Sequence, residues 1–308
     1  MTTILLTGRT GQVGWELQRT LAPLGRVIAL DRTRLDLVDS DSIRRVIRDA
    51  SPDIIVNAAG YTTVDKAESE PDLAMHVNAV APGVMAEEAR RIDALLVHYS
   101  TDYVFDGARP TPYVEEDAPN PLNIYGTSKL EGERAIATSG CAHLILRASW
   151  IYSARGTNFV LTMLRLARER KELAVVDDQI GSPTWARTLA ESTAELLCKI
   201  RQPKEEKGIY HLSANGYASR FDFAKRILEM AREISRENTG WASLRPITTA
   251  EYPLPAARPL NCATSKDRIK RVFGIEMPGW EVQLQSCLKE LMKAGTSRNT
   301  LTPDPTAG

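Results

Sequence analysis

Short apolar runs alternate with helical patterns along the first half of this 308-residue chain. The runs TILLTG, RVIALD, PDIIVNAAG, ALLVHYSTDYVF and AHLILRASW have the length of strands, and the segments between them repeat their apolar residues at helical spacing. Strands that are apolar on both faces must be covered on both faces, which is typical of a parallel sheet between two layers of helices. We therefore predict a doubly wound α/β domain over residues 1–150.

The alternation becomes irregular after about residue 150. Amphipathic patterns such as NFVLTMLRLARER and RFDFAKRILEMAREI are separated by a charged linker, RQPKEEKG, and by the proline-rich stretch EYPLPAARPLNC. We predict a smaller C-terminal domain, mainly residues 151–294, interleaved with late elements that join the first domain. Residues 295–308 combine turn formers with no periodicity, and we expect them to form a disordered tail.

Three glycines, Gly8, Gly11 and Gly14, lie between the first predicted strand and the first predicted helix. Glycines in this context let the backbone turn tightly and approach a pyrophosphate, whose charge meets free amides and the positive end of the helix dipole. The loop therefore predicts a dinucleotide site on a Rossmann fold. The alternative is a glycine-rich turn that binds no ligand.

Two charged residues, Asp31 and Arg32, end the second predicted strand. An acidic residue about 20 positions beyond the glycine loop can accept both hydroxyls of an adenine ribose, which favours NADH. A neighbouring guanidinium can pair with a 2′-phosphate, which allows NADPH. We predict NADPH or NADH as cofactor without choosing between them, although both residues could instead be solvated charges at a strand end.

The segment YGTSKLEGE places Tyr125 and Lys129 four residues apart, and therefore one above the other on a helix. This spacing is compatible with an ordinary helix face and with a proton-transfer pair. The segment by itself does not decide between them.

Composition limits the classes of function. Lys plus Arg and Asp plus Glu both number 39, so the formal net charge is zero. The chain therefore has no overall positive charge that would attract nucleic acid or an anionic membrane. The N-terminus lacks a signal-peptide pattern, and no uncharged apolar run approaches the roughly 20 residues that span a bilayer. The four cysteines and four histidines show no metal-ligand spacing. We expect a cytoplasmic protein with reduced thiols, a small-molecule substrate and no metal.

Several motifs together resemble the extended subgroup of the short-chain dehydrogenase/reductase superfamily. They are the GxxGxxG loop, NAAG at 57–60, YSTDYVF at 99–105 and Tyr-x-x-x-Lys in YGTSKLEGE. Further segments in order, including HYSTDYVFDG, RASWIYS, VVDDQIGSPT and ARPLNC, are similar to the dTDP-4-dehydrorhamnose reductase family. The resemblance implies a proton-transfer role for Tyr125 and Lys129 and a sugar-nucleotide domain in the second half.

The resemblance also implies an activity and a set of site residues. The activity is reduction of the C4 ketone of dTDP-4-dehydro-L-rhamnose by NAD(P)H, the last step in making dTDP-L-rhamnose for bacterial surface polysaccharides. The catalytic residues would be Tyr125, Lys129 and Thr101. The cofactor would contact Gly8, Gly11, Gln12, Val13, Gly14, Asp31, Arg32, Asp36, Leu37, Ala58, Ala59, Gly60, Tyr99, Tyr125 and Lys129. The sugar nucleotide would contact Thr101, Asp102, Trp150 and Arg258, with residues 178–184 beside it.

The implied mechanism needs a proton donor at the reduced oxygen. An unperturbed tyrosine titrates near 10. We expect Lys129 to lower the pKa of Tyr125 towards working pH and to hydrogen-bond the nicotinamide ribose. Thr101 would polarise the same carbonyl group. The alternative for Trp150 is a core tryptophan after a strand, and Arg258 could equally be a surface charge.

Two alternatives remain from the sequence. An NDP-sugar epimerase or 4,6-dehydratase shares the Thr-Tyr-Lys set, but a dehydratase needs a further acid/base pair, and here tyrosine rather than glutamate follows STD. A non-catalytic NADP-binding regulatory subunit is the other alternative, and the intact Thr101, Tyr125 and Lys129 speak against it.

A departure from the family concerns a metal. Some members carry magnesium between subunits, held by glutamates. Glu16 matches one of these, but Arg187 stands where a second would fall, and a cation there opposes a divalent metal. No metal is therefore predicted, and a homodimer is left open.

Overall fold

A computed structural model of the chain describes residues 1–236 and 239–299, with only the backbone described for residues 294–299. The strands are β1 (Thr3–Thr7), β2 (Arg26–Leu30), β3 (Ile54–Asn57), β4 (Leu95–Thr101), β5 (Ala142–Ala148), β6 (Ile151–Tyr152), β7 (Glu172–Val176), β8 (Ile180–Gly181), β9 (Thr184–Trp185), β10 (Gly208–His211), β11 (Ala218–Ser219) and β12 (Ser243–Ile247).

The α-helices cover both faces of the large sheet and fill the second half of the chain. They are α1 (Gln12–Leu21), α2 (Ser40–Ala50), α3 (Val64–Ala67), α4 (Pro71–Met75), α5 (Ala81–Arg91), α6 (Ile124–Ser139), α7 (Phe159–Glu169), α8 (Ala186–Lys199), α9 (Arg220–Ser235), α10 (Asp267–Phe273) and α11 (Trp280–Asn299). A π-helical segment, His76–Val80, joins α4 to α5, and short 3₁₀ turns occur at Ala22–Leu24, Asp102–Val104 and Thr249–Glu251.

The large sheet has six parallel strands in the order β10-β5-β4-β3-β1-β2. The chain runs from β1 to β2 on one side and then returns to β3 on the other side. The order therefore reverses at β1, and a crevice opens at the carboxyl ends of β1 and β3, where open α/β sheets bind ligands. The predicted doubly wound parallel fold is confirmed.

Alternate residues of each strand enter two separate cores, one on each face of the sheet. Ile4 and Leu6 of β1 pack with Leu17 of α1 and Leu189 of α8. Leu5, between them, faces the second core with residues of α2, α5 and α6. Since both faces are covered, both sets of β1 side chains must be apolar, which explains the continuous apolar runs in the sequence.

A third core lies in the second half of the chain. It contains Tyr152, Phe223 and Leu284, together with the parallel pair β7–β12. Two further pairs, β6–β9 and the antiparallel β8–β11, contribute Tyr152, Trp185 and Ala218 to this core. Helix α8 packs on α1, and β10 pairs with β5, so late segments of the chain complete the first unit.

The C-terminal helix α11 runs to Asn299, into the segment that we expected to be a disordered tail. The rest of that predicted tail, 300–308, lies outside the described residues. Within the described ranges, no helix is both long enough and apolar enough to cross a membrane.

Candidate active site

The glycine loop connects β1 directly to α1. Gly8 adopts φ +72°, and a Cβ there would lie 2.7 Å from the backbone nitrogen of Ala59. The loop therefore touches the segment after β3 so closely that position 8 accepts only glycine. Gly11 is the N-cap of α1, no side chain caps the amides there, and the first turn contains no acidic residue. These features fit a dinucleotide pyrophosphate.

Asp31 follows β2 at the same edge of the sheet, and its carboxylate is already engaged. It accepts hydrogen bonds from Nε of Arg9 at 2.8 Å and from the hydroxyl of Thr33 at 2.6 Å. The Thr33 hydrogen bond and the Arg9 charge lower the pKa of Asp31. Arg32, which the sequence suggested as the phosphate-binding cation, has an 81% exposed side chain that lies 4.0 Å from Asp36. The guanidinium beside Asp31 therefore belongs to Arg9.

The remaining predicted cofactor contacts lie around the crevice in different environments. Asp36 is half-exposed, whereas Leu37 is buried in the core beneath β2. Ala58 and Ala59, which follow β3, are partly buried, and Gly60 is exposed. The adenine contact expected of Asp36 and Leu37 stays a prediction.

The loop that starts at Gly60 is braced by a residue that the sequence analysis missed. Asn78, in the π-helical segment, accepts from the backbone N–H of Tyr61 at 2.8 Å and donates to its carbonyl at 2.9 Å. It also donates to the Ser128 hydroxyl of α6 at 3.0 Å. One buried amide therefore connects the loop beyond β3 to the helix that carries Tyr125.

Tyr125 and Thr101 come together at the carboxyl end of β4. Thr101 is the last residue of β4, and Tyr125 lies in the first turn of α6, whose N-cap is Asn123. Burial, the largest effect, raises the pKa of Tyr125, and a hydrogen bond with the Thr101 hydroxyl lowers it by less. The phenol therefore stays protonated throughout the neutral range and is able to donate a proton.

Lys129 is buried one turn further along α6, but its ammonium group does not act as the sequence predicted. Its Nζ donates to the carbonyl oxygen of Tyr99 at 2.6 Å and lies 3.1 Å from Nε2 of His98. The predicted lowering of the pKa of Tyr125 by Lys129 is wrong for this structure, because burial raises that pKa instead. The spacing aligns the two Cα positions, while contacts with β4 decide where the lysine side chain points.

Tyr99 uses its two ends in different ways. Its carbonyl reaches Lys129, whereas its hydroxyl contacts the Thr193 hydroxyl of α8 at 2.6 Å. The ring is buried in the core on the α1 and α8 face of the sheet. A side-chain contact with the cofactor stays a prediction.

Asp102 is 2% exposed and forms the centre of a buried polar group beside Thr101. Its Oδ1 accepts from the Thr101 hydroxyl at 3.1 Å, and its Oδ2 accepts from the Ser149 hydroxyl at 2.6 Å. Burial raises the pKa of Asp102 to about 6, although these hydrogen bonds and the charge of Arg220 lower it. Asp102 therefore takes up a proton more readily than an exposed aspartate.

Trp150 directly follows Ser149 and adopts φ +43°, an unusual conformation for a bulky residue. A Cβ on Gly181 would collide with the indole, and the guanidinium of Arg220 lies 3.5 Å from a ring centroid of the tryptophan. The indole is partly buried and is held between the 178–184 loop and the start of α9. Strained backbone of this kind often accompanies a ligand site.

Arg258 is occupied by a carboxylate. Its Nη1 and Nη2 donate to Asp65 at 2.6 and 2.7 Å, and its side chain is 13% exposed. The guanidinium is also close enough to Tyr103 to interact with its hydroxyl. Arg258 is therefore not a solvated surface charge. Because its guanidinium pairs with Asp65 in this structure, the diphosphate contact stays a prediction.

The residues that the resemblance linked to a metal, Glu16 and Arg187, form an ion pair. Arg187 of α8 lies 3.1 Å from Glu16 of α1 and 2.6 Å from Glu290 of α11. Over the part of the chain that the structure describes, no three His, Cys, Asp or Glu side chains cluster so as to hold a metal ion. The residues present do not fit a divalent cation, because Arg187 already supplies the positive charge between the two glutamates.

Four residues of the site were not predicted from the sequence: Arg9, Asn78, His98 and Arg220. A polar residue inside an otherwise apolar strand is a local signal that could have identified His98. Arg220 had no such signal, since its contacts lie about 70 and 120 positions away in the chain.

The sequence model of a known family matches most of this chain. Its description is "RmlD substrate binding domain", and the match spans residues 1–293. The chain is also similar to a curated dTDP-4-dehydrorhamnose reductase from Burkholderia thailandensis. The two are 45% identical over 294 residues, which cover 94% of this chain and 99% of the relative.

Solved structures agree with the fold described above. The dTDP-4-dehydrorhamnose reductase of Bacillus anthracis, in complex with NADP, has a TM-score of 0.86 and 37% identity, covering 94% of this chain and 100% of that chain. The UDP-glucose 4-epimerase of Thermus thermophilus, complexed with NAD, has a TM-score of 0.77 and covers 95% and 100%. At 18% identity the second likeness concerns the fold alone.

Proposed function

The chain belongs to the RmlD substrate-binding-domain family, and from this premise we propose that it is a dTDP-4-dehydrorhamnose reductase. It reduces the C4 ketone of dTDP-4-dehydro-L-rhamnose with NAD(P)H and produces dTDP-L-rhamnose. The observation that supports this best is the contact between Tyr125 and Thr101 at the carboxyl end of β4, because it provides a proton donor and a polar partner beside the dinucleotide crevice.

The residues around the crevice fit a nicotinamide dinucleotide. The glycine loop and the uncapped start of α1 suit the pyrophosphate, and Asp31 with Arg9 suits the adenosine end. When bound, NAD(P)H supplies the hydride that reduces the carbon of the ketone. The protein must then orient the sugar, exclude water and deliver one proton to the oxygen.

Tyr125 delivers that proton in this proposal. Its phenol is neutral at working pH because burial raises its pKa, so it holds a proton until an alkoxide forms beside it. In the free protein the Thr101 hydroxyl contacts the same phenol and donates its one proton to Asp102. As the proton moves from Oη of Tyr125 to the sugar oxygen, the Thr101 hydroxyl turns from Asp102 and donates to the transient phenolate.

The sugar nucleotide is oriented by the strained segment around Trp150. We assign the indole and Arg220 to contacts with the sugar nucleotide, since they lie beside Asp102 and Ser149. Asp102 holds the Thr101 hydroxyl in place, which keeps the polar partner of Tyr125 oriented. Arg258 borders the same region through its interaction with Tyr103, whose ring packs edge-on against Tyr125 at 5.9 Å.

The decisive experiment is to incubate the purified protein with NADPH or NADH and a dTDP-4-keto-6-deoxy sugar. We expect cofactor absorbance to fall in proportion to the substrate added, with a C4 alcohol as product by NMR. An epimerase or dehydratase would return its hydride, so neither would consume the cofactor stoichiometrically. A regulatory subunit would bind NADPH without turnover. The Tyr125→Phe variant controls for reduction by a contaminant.

We also propose that the protein works in the cytoplasm as a reduced protein. All four cysteines, Cys141, Cys198, Cys262 and Cys287, are unpaired. A homodimer stays a proposal drawn from the family. If the protein does dimerise, the Arg187 cluster predicts that it does so without a bridging metal.

A further inference from the structure

Four buried polar side chains form a continuous hydrogen-bonded chain across three strands and the helix of the candidate catalytic pair. Thr7 of β1 donates to Oδ1 of Asn57 at 2.7 Å. Nδ2 of Asn57 lies 3.0 Å from Nδ1 of His98, and Nε2 of His98 lies 3.1 Å from Nζ of Lys129. All four residues are at most 5% exposed. Each hydrogen bond in such a chain constrains the next one.

The orientation of the Asn57 amide is determined by the backbone. The N–H of Ala59 donates to the same Oδ1 atom at 3.2 Å, and a backbone N–H cannot accept. The oxygen of the amide must therefore face Ala59 and Thr7. The NH₂ group then faces His98 and must donate to Nδ1.

The tautomer of His98 follows from this orientation. Since Nδ1 accepts a hydrogen bond, it carries no proton, and a neutral imidazole must carry its proton on Nε2. The imidazolium form is excluded as well, because it would direct a proton on Nδ1 at the Asn57 NH₂ group. The ring therefore presents an N–H to Lys129.

An ammonium group on Lys129 conflicts with this arrangement. It would direct its own proton at the Nε2–H of His98, so that two donors would face each other between side chains that are at most 5% exposed. A neutral amine satisfies every partner: it donates to the carbonyl of Tyr99 at 2.6 Å and accepts from His98. We propose that His98 is a positioning residue whose Nε2–H tautomer stabilises the neutral amine of Lys129 in the cofactor-free protein.

The electrostatic surroundings of Lys129 agree with this inference. Burial lowers the pKa of Lys129 to about 8, while Glu133 on the same helix raises it by less. Burial, the largest effect on His98, lowers its pKa well below the usual value even without a charge on Lys129, so the ring stays neutral. The residues that face the pair from β1 and β3, Thr7 and Asn57, carry no charge.

The consequence concerns cofactor binding. To act as a cation at the nicotinamide ribose, Lys129 must leave His98 and take up a proton. We therefore expect binding of NADP⁺ to weaken as pH rises above about 8, where the neutral amine dominates in the free protein. The expected pH dependence of NADP⁺ binding depends on the proposed function, because that function places Lys129 at the cofactor. The protonation states of His98 and Lys129 in the free protein do not depend on the proposed function.

The direct test is NMR of the cofactor-free protein with ¹⁵N-labelled histidine and ¹³C-labelled lysine. The nitrogen shifts of His98 distinguish the two neutral tautomers and the imidazolium, and the ¹³Cε shift of Lys129 reports its charge. We expect a neutral Nε2–H tautomer and a Lys129 titration at or below about pH 8. An Nδ1–H tautomer, or a lysine that titrates near the ordinary value of about 10.4, overturns the inference.

The variants His98→Gln and His143→Gln provide the comparison. A glutamine oxygen in the place of Nε2 accepts from an ammonium, so in His98→Gln the pKa of Lys129 should rise by on the order of one unit. The alkaline limb of NADP⁺ binding should move with it. His143 is a buried histidine on β5 whose Nδ1 contacts the carbonyl of Cys141, so its replacement should leave the titration unchanged. Equal shifts in both variants would assign the effect to general loosening of the sheet and would contradict the proposal.

Discussion

Glu133 and Arg147 form a bidentate ion pair inside the protein and connect helix α6 to strand β5. Nε of Arg147 donates to Oε1 at 2.9 Å, and Nη2 donates to Oε2 at 2.6 Å. Both side chains are 2% exposed, and the Ser100 hydroxyl of β4 donates to the same carboxylate at 2.5 Å. Since Glu133 lies one turn beyond Lys129, the pair holds the helix of the candidate catalytic residues against the strand that ends at Thr101.

Replacing Glu133 by Ala should therefore destabilise the protein strongly. The change leaves the Arg147 guanidinium buried without its partner, and breaking a buried pair in this way costs about 3–5 kcal/mol. Urea unfolding measures the loss. The matched control is Glu131→Ala on the same helix, where the pair with Arg134 is 37% and 59% exposed and is worth at most about 0.5 kcal/mol. Similar losses in both variants would show that the buried pair does not stabilise the helix.

Tyr125→Phe tests the proton donor. The change removes one oxygen and keeps the ring, so the protein should fold and bind the cofactor with an affinity within about threefold of wild type. The rate should fall by about 10²–10⁴, because the alkoxide must find its proton elsewhere. Steady-state reduction of the 4-keto sugar and cofactor titration measure the two quantities. Turnover of the variant near the wild-type rate would show that Tyr125 is not the proton donor and that Tyr125 and Lys129 only share a helix face.

Asp102→Asn tests the carboxyl group whose pKa burial raises to about 6. A folded-state pKa above the unfolded value of 3.8 means that the folded protein binds this proton more tightly. Protonated Asp102 therefore contributes fully to the free energy of unfolding below pH 3.8. This contribution, up to roughly 3 kcal/mol, is lost as pH rises through about 6. Thermal unfolding of both proteins between pH 4 and 7 should show wild type losing stability relative to the variant, and a constant difference would contradict the shift.

The cofactor preference should be weak. Asp31 favours a free ribose, while Arg9 on its carboxylate supplies a charge for a 2′-phosphate, so NADH and NADPH should support turnover within about tenfold, or roughly 1.4 kcal/mol. Arg9→Ala should raise the KM for NADPH more than that for NADH. Arg32→Ala is the control, because its side chain is 81% exposed and lies 4.0 Å from Asp36. A preference above a thousandfold in the wild type would be inconsistent with this arrangement.

Chelation should leave the wild-type protein unchanged, because Arg187 provides the charge between Glu16 and Glu290. EDTA should alter neither its activity nor its melting temperature. The Arg187→Glu variant brings three carboxylates together, and we expect magnesium to raise its melting temperature, with Arg187→Ala giving a smaller response. Magnesium-dependent recovery of chelated wild-type protein would mean that the metal binds elsewhere.

The sequence by itself determined the fold class and predicted an outline of the site. Continuous apolar runs predicted a sheet covered on both faces, and the glycines between the first strand and helix predicted the crevice. These features are local: burial periodicity, turn geometry and helical spacing involve residues within a few positions of each other. Helical spacing placed Tyr125 and Lys129 on one helix face, whereas the roles predicted for them and for Thr101 and Asp102 came from the resemblance to the reductase family.

Tertiary structure decided which polar groups meet. The contacts of Lys129 with His98, of Arg220 with Trp150 and of Arg187 with Glu16 join residues about 30 to 170 positions apart. Sheet register and helix packing bring these side chains together. The hydrophobic periodicity of the sequence does not show which distant residues will meet. The protonation states also depend on this level, because the desolvation that raises the pKa of Tyr125 and lowers that of Lys129 exists only when strands and helices close around them.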